Sequence, residues 1–465
     1  MIFRKLTSEN KVPIIIPWLI ACTFFMQMLD GTVLNTALPS IAREFGESPF
    51  EIQSVVISYL LSVAFFLPLS GWVADYFGTK KVFAVAISIF TLGSLFCAAS
   101  YTLNALVLSR IFQGLGGALM APVGRLIIVK LYPRSQLVRV LSFVVIPALL
   151  GPLLGPVLGG FMVEFLTWHW IFLINIPVGI LAFIICLLKM PNIKEKNLHP
   201  FDWIGFCSIA IAIVLFSLAA ENGDIVKMQP LYRAIIICIS ILLLNFYWFY
   251  SRQKPKPLFR RQLFDFKSFR IGMLGNILAR IGGGSIPFIT PLFLQVGLGF
   301  SPSQTGMMLL TVGVSGIIGK YFVNGLVERF GYRKFLSINT FILGLFITSG
   351  FLVTASTPYW LIVLVFFAFG FVNSLQFTAM TTLVLIDLPK DYVSEGNTLL
   401  SVVIQVSMSL GVSVGASMLG FFSDTPLLGH NSSVIEGFNL TYLGMGIITM
   451  LSSLSFLPTP KNAGK

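Results

Sequence analysis

The stretch GWVADYFGTKK (residues 71–81) has a near-copy in the second half of the chain, NGLVERFGYRK (residues 324–334). In both, an acidic residue stands three positions before a glycine, and a basic pair follows that glycine. The corresponding positions are Gly71, Asp75, Gly78, Lys80 and Lys81 in the first copy, and Asn324, Glu328, Gly331, Arg333 and Lys334 in the second. A connection that recurs in this way predicts a duplicated fold built from two similar halves.

Each residue type in these connections has a physical use. Glycine permits a tight turn and a close helix approach, the acid can pair with a base or a helix N-terminus, and the basic pair favours the cytoplasmic side of a membrane. We therefore predict a conformational gate that consists of Gly71, Asp75, Gly78, Lys80, Lys81, Glu328 and Arg333. A loop that is merely tight and positively charged is the alternative, and the repetition counts against it.

The rest of the chain is too apolar for a water-soluble protein. It has 465 residues, of which 56% are hydrophobic and 11% charged, and its mean hydropathy is +0.89. About 20 apolar residues cross roughly 30 Å of hydrocarbon as a helix, and the sequence has fourteen such runs. They lie at about 13–38, 52–73, 82–100, 106–129, 140–163, 169–188, 203–220, 231–250, 271–296, 304–327, 335–354, 358–386, 397–422 and 437–457. Because the runs are continuous rather than alternating, they predict an all-α polytopic membrane protein and not a barrel.

The repeat and the runs together predict the domain organisation. Two six-helix bundles are expected, with two further helices inserted between them. The predicted boundaries are 1–190 for the N-terminal bundle, 191–250 for inserted helices 7 and 8, 251–270 for a cytoplasmic linker and 271–465 for the C-terminal bundle. The linker is basic and contains proline, which is typical of a tether, and we expect it to let the two bundles rock.

The formal net charge of +13 reflects orientation in a lipid bilayer. The Lys and Arg residues are spread over alternate connections instead of forming one patch, which predicts cytoplasmic termini and gives no indication of nucleic-acid binding. The first apolar run is too long for a cleavable signal and is expected to remain as an anchor. All five cysteines lie in apolar runs without CxxC spacing, so neither a disulfide framework, nor a metal site, nor a cofactor is indicated.

Asp30 is the only carboxylate inside any of the fourteen apolar runs. A charge at the bilayer centre costs at least about 2.5–3.5 kcal/mol on insertion scales, so such residues commonly face a cavity and mark ion or proton pathways. Arg110 enters the fourth run at a similar depth. Because neighbouring charge and access to water both change the proton affinity of a carboxylate, we hypothesise that Asp30 carries a proton and that Arg110 modulates it.

Two alternatives to a proton carrier stay open. In the first, Asp30 and Arg110 form a static ion pair, since structural ion pairs also perturb titration. In the second, Asp30 binds a cationic substrate directly, and substrate and proton compete for one carboxylate.

The fifth run contains GPLLGPVLGG (residues 151–160). Its glycines recur every four residues and therefore share one helix face, where a neighbouring helix can approach closely. The residues predicted to form a hinge are Gly151, Pro152, Gly155, Pro156 and Gly159. Plain helix packing by small residues is the alternative.

Polar side chains inside the apolar runs are candidates for the wall of a substrate cavity. They are Asn35, Gln53, Tyr59, Gln113, Asn276, Arg280, Gln295, Asn373, Gln376 and Gln405. The ninth run combines Arg280 with three glycines and two prolines, and such an interrupted helix commonly lines a cavity. A kinked packing helix with a charge near its cytoplasmic end is the alternative. Lys320 and Arg125 are expected to snorkel from helix ends.

These features resemble those of the major facilitator superfamily. The stretch LSRIFQGLGGALMAPVGR (residues 108–125) is similar to its arginine-bearing fourth-helix motif, and GPLLGPVLGG is similar to the fifth-helix signature of its proton antiporters. LDGTVLNTALPSIA (residues 29–42) resembles the first-helix motif of the fourteen-spanner drug:proton antiporters of the EmrB/QacA type. The resemblance covers nearly the whole chain.

The resemblance implies the major facilitator fold and proton-coupled antiport that exports amphipathic or hydrophobic compounds, as in multidrug efflux, by alternating access. It also implies a multi-pass protein of a bacterial inner membrane that functions as a monomer with small-molecule substrates and protons. A dedicated exporter of one metabolite, peptide or siderophore is the alternative. An enzyme would need a cluster of catalytic side chains and an ATP-driven pump a GxxxxGK[ST] motif, and the sequence has neither.

Overall fold

The computed structural model describes residues 13–48, 51–195, 199–220, 229–424, 434–460 and 463. Thirteen helical segments in these residues are long and apolar enough to cross a membrane. They are α1 (Ile15–Phe45), α2 (Gln53–Phe77), α3 (Thr79–Ala98), α4 (Leu103–Leu131), α5 (Ser135–Phe165), α6 (Trp170–Lys189), α7 (Trp203–Ala220), α8 (Pro230–Gln253), α9 (Lys267–Gly297), α10 and α11 (together Pro302–Leu352), α12 (Tyr359–Ile386), α13 (Lys390–Ser423) and α14 (Val434–Phe456). The predicted all-α membrane fold is confirmed.

The segment Pro302–Leu352 contains two spans. Its 51 residues would extend about 75 Å as one helix at a rise of about 1.5 Å per residue, more than twice the hydrocarbon thickness. Gly331 breaks it with φ 71° and ψ 154°, a conformation that glycine adopts most easily. The break separates α10 (302–330) from α11 (332–352), which gives the fourteen spans expected from the sequence.

The two halves meet along two pairs of helices. In the first half α1 packs on α5 and α4 packs on both α2 and α3, while in the second half α12 and α14 pack on the α10–α11 segment. Contacts between the halves are mainly those of α5 with α10 and of α2 with α13.

One apolar core joins the halves on one side of the molecule. Leu38 of α1 and Ile57 of α2 belong to the same buried cluster as Phe293 of α9 and Leu419 of α13. The side of the molecule that contains this core is called the far face. The opposite side is called the basic face, and it contains the connections α2–α3, α4–α5 and α10–α11. Toward the basic face, the described residues of α1–α6 and α9–α14 form three further apolar clusters. One contains residues of the first half only, and two contain residues of the second half and its linker only. The halves are therefore packed together at the far face and have separate cores at the basic face.

The linker between α8 and α9, predicted to be a cytoplasmic tether, is fastened on both sides. The Tyr247 hydroxyl donates to the Phe259 carbonyl at 2.8 Å and accepts from the Phe259 N–H at 2.7 Å. Arg260 Nε donates to Glu395 Oε2 of α13 at 2.7 Å. Because apolar linker side chains such as Leu263 are also fully buried, the linker forms a strap that packs against the second half.

Candidate functional site

Asp30 lies in the middle of α1 and is only 1% exposed. Its two carboxylate oxygens accept three hydrogen bonds from neighbouring helices. Arg110 Nη1 of α4 donates to Oδ2 at 2.6 Å, while Gln113 Nε2 of α4 and Asn175 Nδ2 of α6 donate to Oδ1 at 2.8 and 2.9 Å. The structure therefore brings together the acid and the arginine that the sequence proposed as partners.

Arg110 is equally buried, at 1% exposure, and its charge is balanced on several sides. Nη1 also donates to Gln113 Oε1 at 2.6 Å, and Nε donates to the Val55 carbonyl at 3.4 Å. The guanidinium carbon lies 4.2 Å from the centre of the Tyr59 ring, a distance typical of a cation–π contact. A buried ion pair is tolerated when further hydrogen bonds satisfy both partners, and this pair meets that condition.

Two members of this cluster were not predicted from the sequence. Asn175 binds Asp30 directly, and Ser94 of α3 accepts a hydrogen bond from Gln113 at 2.8 Å. Asn175 had a usable signal, because it is the one amide side chain in the apolar run of α6. Ser94 had none, since serine is common in such runs and bonds readily to its own helix.

A cavity of about 360 Å³ lies between the two halves. Residues from α1, α5, α9, α10 and α12 line it: Thr32, Asn35, Leu149, Pro152, Leu153, Pro156, Ile286, Pro287, Thr290, Leu309, Val312, Gly313, Gly316, Ile317, Lys320, Phe366, Phe369, Gly370, Asn373, Ser374 and Phe377. Successive helix residues are about 100° apart, so Thr32 and Asn35 point away from Asp30. One face of α1 thus borders the cavity and the opposite face holds the buried acid.

Two of the ten predicted cavity residues, Asn35 and Asn373, line this cavity. The other eight do not line it in this structure: Gln53, Tyr59, Gln113, Asn276, Arg280, Gln295, Gln376 and Gln405. Several of them find hydrogen-bond partners within the helix packing instead. Gln295 Nε2 donates to the Thr36 carbonyl across the two halves at 2.9 Å, and Gln376 Oε1 accepts from Asn339 at 2.9 Å.

The ninth span borders the cavity through Ile286, Pro287 and Thr290, at the break that its glycines and prolines produce. Arg280 is not near the end of this span. It lies close to the middle of Lys267–Gly297 and is 8% exposed. Lys320, which was expected to snorkel, borders the cavity and is exposed.

The glycine face of α5 packs directly on α1. A Cβ atom added to Gly151 would lie 2.8 Å from the Leu29 nitrogen, and one added to Gly155 would lie 2.1 Å from Thr32 Oγ1. At Gly159 the added atom would lie 2.4 Å from the Val33 carbonyl oxygen. At Gly151 and Gly159 backbone atoms of α1 are among the nearest atoms, so no larger side chain fits there unless a helix moves. Three of the predicted hinge residues, the glycines, thus form the contact between α5 and the helix that carries Asp30, while Pro152 and Pro156 line the cavity.

The two repeated connections differ in their ion pairs. Asp75 Oδ1 accepts from Lys130 Nζ, at the end of α4, at 2.6 Å, and Lys130 also lies 3.6 Å from Glu195. Gly78 adopts φ 99°, which explains the glycine there. Glu328, in contrast, is exposed and makes no ion pair with any described residue. Lys130 was not predicted, because its position in the last turn of α4 resembles that of an ordinary orienting charge.

The remaining predicted gate residues also sit at the basic face. Lys80, Lys81 and Arg333 make no ion pair within the described ranges, and a Cβ atom added to Gly71 would meet nothing within 4 Å. These four residues therefore lie at the surface of the connections and do not form a packed contact.

Comparison with known proteins identifies the family. The model of the Major Facilitator Superfamily matches residues 20–282 and 272–465. Relatives named "Putative multidrug resistance protein MdtD" occur in Pectobacterium atrosepticum, 44% identical over 96% of this chain and 96% of that protein, and in Escherichia coli (strain K12 / DH10B), 43% identical over 96% and 94%.

Solved structures show the same fold at low sequence identity. A D-xylose–proton symporter aligns with a TM-score of 0.70 at 15% identity and covers 97% of this chain and 98% of its own. A peptide transporter of the POT type aligns with a TM-score of 0.69 at 14% identity, over 95% and 93%. The repeated connection, the fourteen spans and these matches agree: the chain is a multi-pass membrane transporter that belongs to the major facilitator superfamily.

Proposed function

We propose that this protein is a secondary active exporter that exchanges incoming protons for outgoing amphipathic compounds by alternating access. It works in a bacterial inner membrane with both termini in the cytoplasm, which puts the basic face inside. Transport, not catalysis, is the activity proposed. The printed name of its relatives, a multidrug resistance protein, supports export of drug-like molecules.

The observation that carries this proposal is the division of α1 into two faces. Asp30 on one face is buried against Arg110, Gln113 and Asn175, while Thr32 and Asn35 on the other face border the cavity. Any tilt or rotation of α1 would therefore change the surroundings of the acid and of the substrate together. Antiport requires that kind of coupling between two sites.

The ion pair supports a proton cycle in three steps. With the far face closed, Asp30 is bound to Arg110. When the halves rock and the far face opens, α1 moves against the glycine face of α5, the carboxylate gains access to water and takes a proton, and its bond to Arg110 weakens. Return to the closed far face restores the ion pair and releases the proton toward the cytoplasm. In this scheme Asp30 is the proton carrier and Arg110 the partner that drives release.

The hydrogen bonds to Asp30 and its position on the face of α1 opposite the cavity count against the alternative in which Asp30 binds a cationic substrate. Asp30 does not line the cavity and its carboxylate is occupied by three donors. A substrate in the cavity would therefore act on Asp30 through α1 and not by direct contact.

The proposal is tested with purified protein in proteoliposomes that contain a pH-sensitive dye. A panel of cationic, neutral and anionic aromatic compounds is added, and substrate-induced proton movement is recorded for the wild type, Asp30→Asn and the control Asp265→Asn, which removes an exposed carboxylate of the linker. Asp30→Asn should abolish proton movement while Asp265→Asn leaves it intact. Full proton-driven transport by Asp30→Asn would refute the assignment. The number of panel members transported separates multidrug export from a dedicated exporter.

A further inference from the structure

The cavity between the halves carries positive charge. Lys320 of α10 borders it, and no carboxylate is found among the described residues that line it. Asp30 adds no net negative charge from behind α1, because Arg110 pairs with it at 2.6 Å. An organic cation in this cavity would meet an unfavourable charge, whereas an organic anion would meet a favourable one.

A second cation lies directly behind the cavity wall. The guanidinium carbon of Arg280 is 4.3 Å from the centre of the Phe377 ring, and Phe377 lines the cavity from α12. Arg280 is 8% exposed, its Nε donates to Asn276 Oδ1 at 3.2 Å, and its Nη2 has no hydrogen-bond partner in the described part of the chain. A buried, unpaired charge is unfavourable unless something else supplies the opposite charge.

Arg110 is a buried arginine whose partners all belong to the protein, and it serves as the comparison for Arg280. That guanidinium has a carboxylate at 2.6 Å, a glutamine and a backbone carbonyl. Arg280 is buried to a comparable degree, yet it forms no ion pair with any described residue. Arg280 therefore has no opposite charge among the described residues, and it lies against a side chain of the cavity wall.

We propose that the cavity binds an amphipathic organic anion whose carboxylate pairs with the guanidinium of Arg280. This inference rests on the proposed transport function and names its substrate class. The planar fork of arginine matches the two oxygens of a carboxylate. Phe377 stands between the guanidinium and the cavity, so its ring turns aside when the anion enters and then packs against the apolar body of the substrate. Lys320 attracts the anion from the basic face.

The rest of the wall suits the apolar part of such a molecule. Leu149, Leu153, Leu309, Val312 and Phe369 surround the space, and Asn35 and Asn373 are the amides that border it. A volume of about 360 Å³ lies at the lower end of the range for small-molecule sites, about 300–1,000 Å³. One or two aromatic rings with a carboxylate would fill it.

The test compares three compounds that share one aromatic body: 1-naphthaleneacetate, its neutral amide 1-naphthaleneacetamide, and naphthylmethyl-trimethylammonium. Binding to the full-length protein in lipid nanodiscs is measured by equilibrium dialysis. The wild type should bind the acetate at least tenfold more tightly than the amide and the ammonium compound. Equal binding of the three, preference for the ammonium compound, or no binding of the acetate would overturn the proposal without any variant.

Variants then test whether Arg280 is responsible for the preference for the acetate. Arg280→Gln should bring the affinity for the acetate down to that for the amide, while binding of the amide changes less than twofold. Arg280→Lys keeps the charge without the fork and should retain part of the preference. The matched control is Arg270→Gln, which removes an exposed arginine from the same helix and should leave all three affinities unchanged. A tenfold preference that survives in Arg280→Gln would overturn the role of Arg280.

The binding experiment does not depend on proton coupling, so the two proposals fail separately. If Asp30→Asn transports normally but Arg280→Gln loses the anion preference, the coupling scheme is wrong and the substrate class stands. If the wild type exchanges protons for cationic and neutral compounds and ignores the acetate, the antiport stands and the anion proposal falls.

Discussion

The buried carboxylate of Asp30 is held by amide donors as much as by the opposite charge. Asp30 accepts hydrogen bonds from Gln113 and Asn175 in addition to the ion pair with Arg110. The amides fix the carboxylate in one orientation, so that the ion pair has a defined geometry when the far face is closed. Asn175 is the member that belongs to neither α1 nor α4, and it therefore ties the third helix, α6, to the acid.

Replacement of Asn175 by alanine should lower the free energy of unfolding by about 1–3 kcal/mol, because one buried carboxylate oxygen loses a donor. The measurement is thermal unfolding of the purified protein in detergent. Asn245→Ala is the matched control, since Asn245 is exposed on α8 and bonds only to its own helix. That control should change stability by less than about 0.5 kcal/mol. An equal loss in both variants would contradict the role assigned to Asn175.

The contact between α1 and α5 is a close approach of two helix backbones. Glycines allow the two backbones to approach so closely that Thr32 Oγ1 donates to the Gly151 carbonyl at 3.3 Å. Thr32 also borders the cavity. The same contact thus joins the hinge residues, the substrate space and the helix of Asp30.

Gly155→Ala should disturb this contact, because the added Cβ atom would lie 2.1 Å from Thr32 Oγ1. Overpacking of this kind costs about 1–3 kcal/mol, and transport should fall severalfold. The double variant with Thr32→Ala removes the nearest clashing atom and should recover part of the stability, which a double-mutant cycle detects. Gly420→Ala on α13, where nothing lies within 4 Å, should have little effect. Similar losses from Gly155→Ala and Gly420→Ala would argue against the close-packed hinge.

The repeated connections should not be functionally equivalent. Asp75 pairs with Lys130 at 2.6 Å, whereas Glu328 is exposed and has no ion pair among the described residues. We expect Asp75→Asn to slow transport several-fold with a stability change below about 1 kcal/mol, as is usual for partly exposed pairs. Glu328→Gln should have a smaller effect on the transport rate. Exchange of the two charges, Asp75→Lys with Lys130→Asp, should restore part of the rate, and a rate no better than that of either single variant would exclude the pair as the cause.

The whole molecule is in a state in which the halves meet at the far face. Gly160 of α5 is packed on α10, where an added Cβ atom would lie 3.0 Å from the Ser303 Cα atom. Glu164 of α5 also accepts a hydrogen bond from the Ser303 N–H at 2.9 Å. Alternating access requires these contacts to break in each cycle.

Cysteines at Glu164 and Ser303, whose native residues are in contact across the halves, should therefore stop transport when a short, reducible bis-methanethiosulfonate cross-linker joins them, and reduction should restore it. Cross-linking is followed by the mobility of the protein after proteolysis between the halves, and transport by uptake into proteoliposomes. The same cross-linker applied to cysteines at Ser423 and Gly437, which lie in contact within the second half, is the control and should leave transport intact. Undiminished transport by the cross-linked Glu164–Ser303 variant would mean that the halves do not separate at this point.

The sequence by itself determined the number of spans and identified Asp30 and Arg110 as partners. Apolar runs of the required length and a single acid within those runs are local or countable features, so no packing information was needed to find them. The ion pair of Arg260 with Glu395 that fastens the linker could not be predicted from the sequence, because a basic, proline-bearing segment has the same composition whether it is packed or free.

Only the tertiary structure decided which side of each helix faces the cavity. Most of the polar residues predicted for its wall, such as Gln53 and Gln376, do not line it. Arg280, which forms no ion pair with any described residue, became informative only when its neighbours were known. The physical reason is the solvent. In water, an apolar stripe marks the buried face of a helix, but in lipid both the outer and the packed faces are apolar. Hydrophobicity therefore places a helix in the membrane and leaves its rotation to the contacts with its neighbours.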